Sequence, residues 1–259
     1  MFGVAETAIM TMTRDFAAGG YRFVPGPFQY SGGVSALRGY EIRRVRFLRP
    51  VPLARGFELA AEVMQNAGRP LTAFCACELR SPAPFTEQGF RTFNELYVGT
   101  LSKWEIFDGT NNPVARSNVC PQIKPPQVPS LHAFSYTVTS AGDGPPTLVI
   151  AGSAEASEGP GSYKERCVRH GDVSPEGLRE KARFVLSEME RRLGAFAARW
   201  WDTTATQVYT VHDLYPFLAN EIVQRGAAEA GLTWCYCRPP VVDLEFEMDC
   251  RATNTERVV

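Results

Sequence analysis

Apolar side chains recur at helical spacing in two parts of the chain. Residues three or four positions apart are apolar from about Leu53 to Ala67 and again from Pro175 to Leu193, which predicts an amphipathic helix in each range. Gly68 and Gly194 follow these ranges, where a left-handed C-cap residue is expected. Ser174 precedes the second range and supplies an N-cap before a proline at the first helical position.

Short stretches rich in β-branched and aromatic residues predict strands between these helices. They are Tyr40–Leu48, Phe74–Leu79, Leu131–Thr139, Leu148–Ala151 and Thr204–Val211. The clearest strand prediction is Val242–Met248, in which apolar residues alternate strictly with acidic ones. Because alternate residues of a strand share a face, this pattern predicts one apolar face and one acidic face.

A common spacing between landmarks indicates an internal duplication. Gly68 and Gly194 are 126 residues apart, and so are the Asn-Glu pairs that begin at Asn94 and Asn220. Two landmarks with one offset favour a repeated unit, although coincidence stays open because the intervening loops differ in length. Each half then has strands, helix, strand, helix, strands, which is typical of an α+β fold with helices on one face of a sheet. The turn-rich stretch Ser140–Pro146 is the predicted joint between residues 1–140, with 1–20 as an N-terminal extension, and residues 141–259.

Composition and charge exclude several classes of protein. The formal net charge of −1 and the pI near 6.3 offer no attraction for nucleic acid or an anionic membrane surface. No apolar run approaches the roughly 18 residues of a membrane span, and residues 1–20 lack the pattern of a signal peptide. The seven cysteines include no C-x-x-C pair, and the three histidines lie near no cluster of further ligands. We therefore expect a cytoplasmic protein without a bound metal.

Two features carry candidate chemistry. Arg116 enters a strand just after a proline turn, and a guanidinium group suits recognition of a carboxylate, whereas the alternative is a surface ion pair. The acidic face of the last predicted strand holds like charges close together, which raises one carboxyl pKa towards a value useful in proton transfer. The pattern alone does not choose between Glu245 and Glu247, and a solvated acidic face is the alternative. Two small-residue turns, at Gly32-Gly33 and at Gly152, allow a ligand to approach the backbone closely.

With these residues, both halves of the chain resemble the RidA (YjgF) family of enamine and imine deaminases. The first half supplies Ser31-Gly32, a helix ending at Gly68, Phe90 followed by Asn94-Glu95-Leu96-Tyr97, and Pro113 followed by Ala115-Arg116-Ser117. The second half supplies Leu148 to Ser153, a helix ending at Gly194, Phe217 followed by Asn220-Glu221, and Val242-Asp243-Leu244-Glu245. Each motif is short, so their order and spacing carry the resemblance.

The resemblance implies a fold and a set of site residues. The fold would be two fused RidA-like (chorismate-mutase-like) units, each a mostly antiparallel sheet with two helices on one face. Arg116 would hold the substrate carboxylate and Glu245 would activate the attacking water. Gly32, Gly33, Asn94, Tyr97 and Gly152 would line the substrate site, and Arg238 or Arg22 is a candidate for a second carboxylate.

Both halves depart from the family pattern. The second half has Thr233-Trp234-Cys235 in place of Ala-Arg-Ser, and the first half lacks the acidic strand. A complete site would therefore require Arg116 and Glu245 to meet across a repeat or subunit contact.

Among members with two repeats, the length and sequence resemble the 2-aminomuconate and 2-amino-5-chloromuconate deaminases. This implies hydrolysis of an enamine dicarboxylate with release of ammonia and without a cofactor, in the degradation of aromatic compounds. It also implies a homo-oligomer, for which we expect a trimer. A chorismate hydrolase of the chorismatase type and a non-catalytic protein that binds small acids are the alternatives.

Overall fold

The structure is a computed structural model that describes residues 12–142 and 144–259. Its strands are β1 (Arg14–Phe16), β2 (Tyr21–Val24), β3 (Gly33–Ala36), β4 (Tyr40–Pro52), β5 (Phe74–Arg80), β6 (Ala115–Pro121), β7 (Ser130–Thr139), β8 (Leu148–Ala154), β9 (Ala205–Tyr209), β10 (Leu232–Cys235), β11 (Cys237–Arg238), β12 (Glu247–Ala252) and β13 (Thr255–Val258). Its α-helices are α1 (Leu53–Asn66), α2 (Glu87–Lys103), α3 (Tyr163–Arg166), α4 (Pro175–Gly194) and α5 (Tyr215–Phe217), which continues as a π-helix over Leu218–Val223.

The strands form two sheets whose central parts have the same topology. One sheet has the order β1-β2-β3-β8-β12-β9-β10 and the other β11-β6-β5-β7-β4-β13. The sets β4-β7-β5-β6 and β8-β12-β9-β10 share one pattern, in which only the last pair, β5/β6 or β9/β10, is parallel. In each set a helix connects the first strand to the third and a second helical segment bridges the parallel pair. This shared connectivity supports the duplication inferred from the common offset, and the α+β class is confirmed.

Each sheet also contains strands from the other half of the sequence. Strands β1, β2 and β3 of the first half join the sheet of the second half, because β3 pairs with β8. In the other direction, β11 and β13 of the second half pair with β6 and β4 of the first half. The stretch 140–146 connects β7 to β8, as the sequence indicated, but strands from both sides of it enter each sheet. The division at residues 140/141 stays a prediction. Of the proposed N-terminal extension, residues 1–11 lie outside the described part of the chain.

The helix ends are set by local chemistry. The Ser174 hydroxyl accepts a hydrogen bond from the backbone N–H of Gly177 at 3.1 Å, so the predicted N-cap of α4 is confirmed. Gly68 follows α1 with φ of +66°, as expected for a C-cap. The prediction for Gly194 is wrong, because α4 runs through this residue and the left-handed conformation falls on Ala197, with φ of +55°.

The segment with the most regular alternation of apolar and acidic residues, Val242–Met248, is extended as a strand only at its end. Val242–Met248 was expected to be a strand, but β12 begins only at Glu247. Asp243 has φ of +69°, a conformation that interrupts an extended strand. The backbone N–H groups of Glu245 and Phe246 then donate to the carboxylate of Glu155, at 2.6 and 3.0 Å, instead of to a neighbouring strand. The acidic residues of this segment therefore do not share one face.

A small apolar cluster joins the two sheets. It contains Tyr21, Val34 and Ala151 from one sheet and Ile42 and Ala76 from the other, all buried. Each sheet also packs against its helices through one larger apolar cluster. Burial of these surfaces holds β6 close to β8, the strands that flank the candidate site.

None of the helices in the described part of the chain is long and apolar enough to cross a membrane.

Candidate functional site

A cavity of about 320 Å³ lies where the two halves of the chain meet. Its lining includes Arg116 and Asn118 from β6 and Gly152 and Glu247 from β8 and β12. The volume falls within the roughly 300–1,000 Å³ of small-molecule sites in proteins. Residues distant in sequence thus form one chamber of the size of a small metabolite.

Arg116 is a buried cation at the cavity. Its side chain is held by α2, where Asn94 Oδ1 accepts a hydrogen bond from Nη1 at 2.6 Å and the Tyr97 ring lies 4.9 Å from the guanidinium carbon. The rings of Tyr30 and Phe90 lie 5.5 Å from the same carbon. Although Arg116 is only 3% exposed, no carboxylate of residues 12–142 or 144–259 pairs with it. Because a buried charge without a partner is costly, this arrangement favours an anionic ligand.

Asn118 adds a hydrogen-bond donor on the same strand. Alternate residues share a strand face, so Asn118 follows Arg116 along the cavity. Its Oδ1 accepts from the Ser81 hydroxyl at 2.9 Å, which leaves Nδ2 pointing away from that bond. Nδ2 is buried and has no hydrogen-bond partner in the described part of the chain. Buried donors of this kind normally find a partner, so Nδ2 is available to a ligand oxygen.

Glu247 contributes an unpaired carboxyl group to the cavity. It is the first residue of β12, paired with Ala154 and Tyr209 on the neighbouring strands, and it is 4% exposed. Its carboxyl group makes no hydrogen bond or ion pair with the described residues. Burial raises the pKa of this carboxyl well above its ordinary value, the nearby Asp249 raises it further, and Arg116 opposes both effects. The group therefore favours its protonated form more than an ordinary glutamate does.

Glycine at position 152 is explained by the closeness of this carboxyl group. A Cβ atom at Gly152 would overlap the Glu247 carboxylate. Any side chain larger than hydrogen would displace Glu247 from the cavity. The sequence pointed to close approach at this turn, and the structure identifies Glu247 as the group that approaches.

Asp249 differs from Glu247 in being fully hydrogen-bonded. It accepts from Ser117 Oγ at 2.5 Å, Gln207 Nε2 at 2.8 Å and Tyr209 Oη at 2.9 Å. Ser117 follows Arg116 on β6, and Asp249 lies two residues beyond Glu247 on β12. The Ser117–Asp249 hydrogen bond therefore links β6, which carries Arg116, to β12, which carries Glu247, and fixes the position of one strand relative to the other.

Within one chain, Glu245 and Arg238 lie outside the cavity that contains Arg116. Glu245 Oε2 accepts from Arg238 Nη1 at 2.5 Å and lies 2.7 Å from His212 Nε2. Neither Glu245 nor Arg238 lines the cavity. Because Glu245 precedes β12, in the irregular segment after Asp243, its side chain does not follow the direction of Glu247.

The remaining predicted residues support the site without lining it. Asn94 and Tyr97 contact Arg116, as described above. The carbonyl oxygen of Gly32 accepts from Arg192 at 3.5 Å, and Gly33 packs closely on Ile150. These glycines therefore lie behind the cavity wall and not at its surface.

Sequence reasoning missed the basic side chains at the far side of the cavity. Arg192 of α4 is 2% exposed and donates to Glu188 at 2.7 Å, to the carbonyl of Ala151 at 3.2 Å and to Glu158 at 3.4 Å. The available signal was its position three residues after Met189, beside the apolar stripe of α4. Arg166 was missed because it ends a helix of only four residues, α3, which has no apolar periodicity to predict it.

No group of three or more metal-ligating side chains occurs in residues 12–142 and 144–259.

Comparison with known proteins assigns residues 13–257 to one family. The family model described as "2-aminomuconate deaminase CnbZ" matches residues 13–257. The 2-amino-5-chloromuconate deaminase of Comamonas testosteroni is 49% identical over 245 residues, covering 94% of this chain and 98% of that protein. Among solved structures, a chorismatase is similar with a TM-score of 0.48 and 15% identity over 88% of this chain and 79% of that one. The Escherichia coli YjgF gene product has a TM-score of 0.31 and 16% identity over 45% of this chain and 84% of that one. From the family model and the 49% identity, the chain belongs to the 2-aminomuconate deaminase family.

Proposed function

We propose that this protein hydrolyses an enamine dicarboxylate, 2-aminomuconate or 2-amino-5-chloromuconate, to the 2-hydroxy acid or its keto tautomer and ammonia. The observation that carries the proposal is one cavity lined by a buried cation, Arg116, and a buried acid, Glu247, neither of which forms an ion pair with a residue in the described part of the chain. Family membership and the name of the relative support the choice of substrate.

The charges of the cavity fit a dianion. Its lining includes four arginines and three glutamates, and two of these glutamates, Glu158 and Glu188, are in ion pairs with its arginines. Among the described lining residues, Arg116 and Arg166 form no ion pair with a carboxylate, which leaves two positive charges for a substrate. A dicarboxylate would neutralise this excess, whereas a monocarboxylate would neutralise half of it.

The proposed reaction starts with Glu247 in its protonated form. Arg116 and Asn118 bind the carboxylate next to the amino-bearing carbon and hold the enamine over Glu247. Glu247 donates its proton to the carbon adjacent to the amino-bearing carbon, whose C=C electron pair forms the new C–H bond. The nitrogen lone pair becomes the second bond of an iminium group. Because burial raises the pKa of the Glu247 carboxyl, this group keeps its proton to a higher pH than an exposed glutamate does.

Water then replaces ammonia at the iminium carbon. The Glu247 carboxylate accepts a proton from the attacking water, a C–O bond forms, and the C=N electron pair returns to nitrogen. In the last step a proton moves from the hydroxyl group to nitrogen through Glu247, the C–N bond breaks and the C=O bond forms. One water is consumed, one ammonia is released, and Glu247 regains its proton. No redox equivalent is required, which is why we propose a cofactor-independent hydrolase of C–N bonds.

The test is ammonia release by the purified protein from freshly prepared 2-aminomuconate, with the Glu247→Gln and Glu245→Gln variants beside it. We expect turnover by wild type, loss of turnover in Glu247→Gln, and near-normal turnover in Glu245→Gln. Pyruvate release from chorismate without ammonia release from 2-aminomuconate would favour a chorismate hydrolase. Binding of the diacid without turnover in the wild type would favour a non-catalytic binding protein.

The cellular setting is part of the same proposal. We infer a role in the degradation of aromatic compounds, in the cytoplasm, as a homo-oligomer, with a trimer as the expected state. Light scattering coupled to size-exclusion chromatography measures the oligomer directly, and a monomeric mass would contradict that part.

A further inference from the structure

A loop from the second half closes one side of the cavity. This cover loop, residues 156–167, begins and ends at a β-bridge between Ala156 and Cys167. The backbone N–H of Tyr163 donates to Glu87 of α2 at 2.8 Å. Glu158 of the cover loop accepts a hydrogen bond from the hydroxyl group of Tyr30, in the first half of the chain, at 3.3 Å. Contacts with the first half of the chain therefore hold the cover loop over the cavity.

Arg166 of the cover loop lines the cavity as a cation that no carboxylate neutralises. Its Nε donates to the carbonyl of Gly161 at 3.2 Å, Nη1 donates to the carbonyl of Ser157, and the guanidinium carbon lies 4.6 Å from the Tyr163 ring. These contacts orient the guanidinium group but leave its charge uncompensated within the described residues. The guanidinium group also hydrogen-bonds the Tyr163 hydroxyl, and this bond opposes the rise of the Tyr163 pKa that burial causes.

The other arginines of the cavity differ from Arg166. Arg191 pairs with Glu188 at 2.6 Å, and Arg192 pairs with both Glu188 and Glu158. Only Arg116 and Arg166, of the four described arginines that line the cavity, have no carboxylate partner. The Tyr163 ring is within electrostatic reach of both, since burial raises the pKa of its hydroxyl and the charges of Arg166 and Arg116 oppose that shift. Two uncompensated cations thus face one chamber.

We propose that Arg166 binds the distal carboxylate of the substrate and makes the protein selective for dicarboxylates over monocarboxylates. This inference rests on the proposed function, because it assigns the second acid group of the same substrate. Arg116 would bind the carboxylate beside the reacting carbon, and the cover loop would supply the second anchor. A guanidinium group already oriented by backbone carbonyls loses little freedom when it binds.

The experiment compares two stable ligands that differ only at the distal end. trans,trans-Muconate and sorbate share a six-carbon diene acid skeleton, but sorbate has a methyl group where muconate has its second carboxylate. Calorimetric titration of the whole protein gives the ratio of the two affinities. We expect wild type to prefer muconate by about tenfold or more, the usual effect of a hydrogen bond to a charged group. In Arg166→Met this preference should fall to near one, through loss of muconate affinity alone.

Two further variants separate binding from folding. Arg169→Met removes a charge close to the cover loop that pairs with Asp172 and does not line the cavity, so it should keep the preference for muconate. Arg166→Lys keeps a point charge without the fork and should keep part of it. Equal losses of both affinities in Arg166→Met would show that Arg166 only supports the loop, and an unchanged ratio would show no role in binding. Either result overturns the inference.

The failure of this inference and of the proposed function would be distinguishable. Absence of ammonia release from 2-aminomuconate by wild type contradicts the proposed function, whatever the ratio of muconate to sorbate affinity. Turnover of 2-aminomuconate with an unchanged ratio in Arg166→Met contradicts only the role of Arg166.

Discussion

Two arginine–glutamate sets in this protein have glutamates only two residues apart in sequence, yet their side chains are arranged in opposite ways. Arg238 and Glu245 come from the same half and form a direct ion pair at 2.5 Å, with His212 beside them. Arg116 and Glu247 come from different halves, line one cavity and have no charged partner among the described residues. In the first set, the charges of Arg238 and Glu245 satisfy each other. In the second set, Arg116 and Glu247 remain able to bind the polar groups of a ligand.

The difference shows why a charged pair in sequence is a poor guide to a site. An ion pair that already satisfies its charges gains little by binding a substrate carboxylate, because one partner must first be released. A cation held by an amide and aromatic rings, as Arg116 is, keeps its charge available. A carboxyl group without hydrogen bonds keeps its proton available in the same way. We therefore propose Glu247, and not Glu245, as the acid–base group.

The largest difference in kcat is expected between variants of the two glutamates. Glu247→Gln should lower kcat by about 10²–10⁴-fold, because an amide cannot supply or accept the proton. Glu245→Gln should change kcat by no more than about twofold, since it breaks only a partly exposed ion pair. Steady-state ammonia release measures both. Similar losses in the two variants would remove the distinction between the sets.

The arginines of the two sets should differ next most strongly. Arg116→Met should lower kcat/KM by about 10²–10³-fold, the usual cost of removing one partner of a desolvated charge pair. Arg238→Met, the matched change outside the cavity, should stay within about twofold of wild type. Since the charge of Arg116 lowers the pKa of Glu247, its removal should also move the alkaline limb of the pH–rate profile to higher pH.

Thermal unfolding provides the control for the arginine variants. Met in place of a buried, unpaired Arg116 should not lower Tm, because an apolar side chain among aromatic rings avoids the desolvation penalty. A large fall in Tm would mean that the activity loss reflects misfolding, and the pH–rate profile of Arg116→Lys would then decide whether the charge matters.

A smaller effect on activity is expected from substitutions of Asn94 and Asn220, which occupy equivalent places in the two repeats. Asn94→Ala removes the hydrogen bond that orients Arg116 and should raise KM by about tenfold, as for other bonds to charged groups. Asn220 occupies the equivalent place in the sequence but is exposed on the π-helix and holds no arginine of the cavity. Asn220→Ala should leave KM unchanged. Equal effects would contradict the division of labour between the halves.

The sequence predicted the repeated elements well because their signals are local. The apolar stripe and Ser174 define α4, and Arg116 stood out as a lone cation after a proline turn. The choice between Glu245 and Glu247 depended on the positive φ of Asp243 and on Glu155, whose carboxylate binds the backbone of residues 245 and 246. Both are consequences of tertiary structure that strict alternation does not reveal.

Other parts of the fold depended on distant partners. The pairing of β3 with β8 joins residues more than a hundred positions apart, and no local pattern of the short strand Gly33–Ala36 specifies it. Arg166 likewise becomes a candidate anchor only because the cover loop folds over the cavity. Its partners, Ser157 and Gly161, are backbone carbonyls that a sequence motif does not identify.

The smallest expected effect concerns stability and pH. The raised pKa of Glu247 means that the folded state holds this proton more tightly than the unfolded state does. Its contribution to stability is complete below the pKa of an exposed glutamate, about 4.3, and diminishes as the pH rises towards the folded-state value. Gln does not titrate, so Glu247→Gln should gain stability relative to wild type between pH 5 and pH 8 in urea unfolding.

Glu188 provides the opposite case within the same cavity. Although burial raises its pKa, hydrogen bonds and ion pairs with Arg191 and Arg192 outweigh that effect and lower it. Its contribution is therefore present above the pKa of an exposed glutamate and is lost only as the pH falls below that value. Glu188→Gln should destabilise the protein by the same amount at pH 5 and pH 8. A pH-independent difference for Glu247→Gln as well would mean that Glu247 titrates normally in the folded protein, and the proton donor of the proposed reaction would have to be another group.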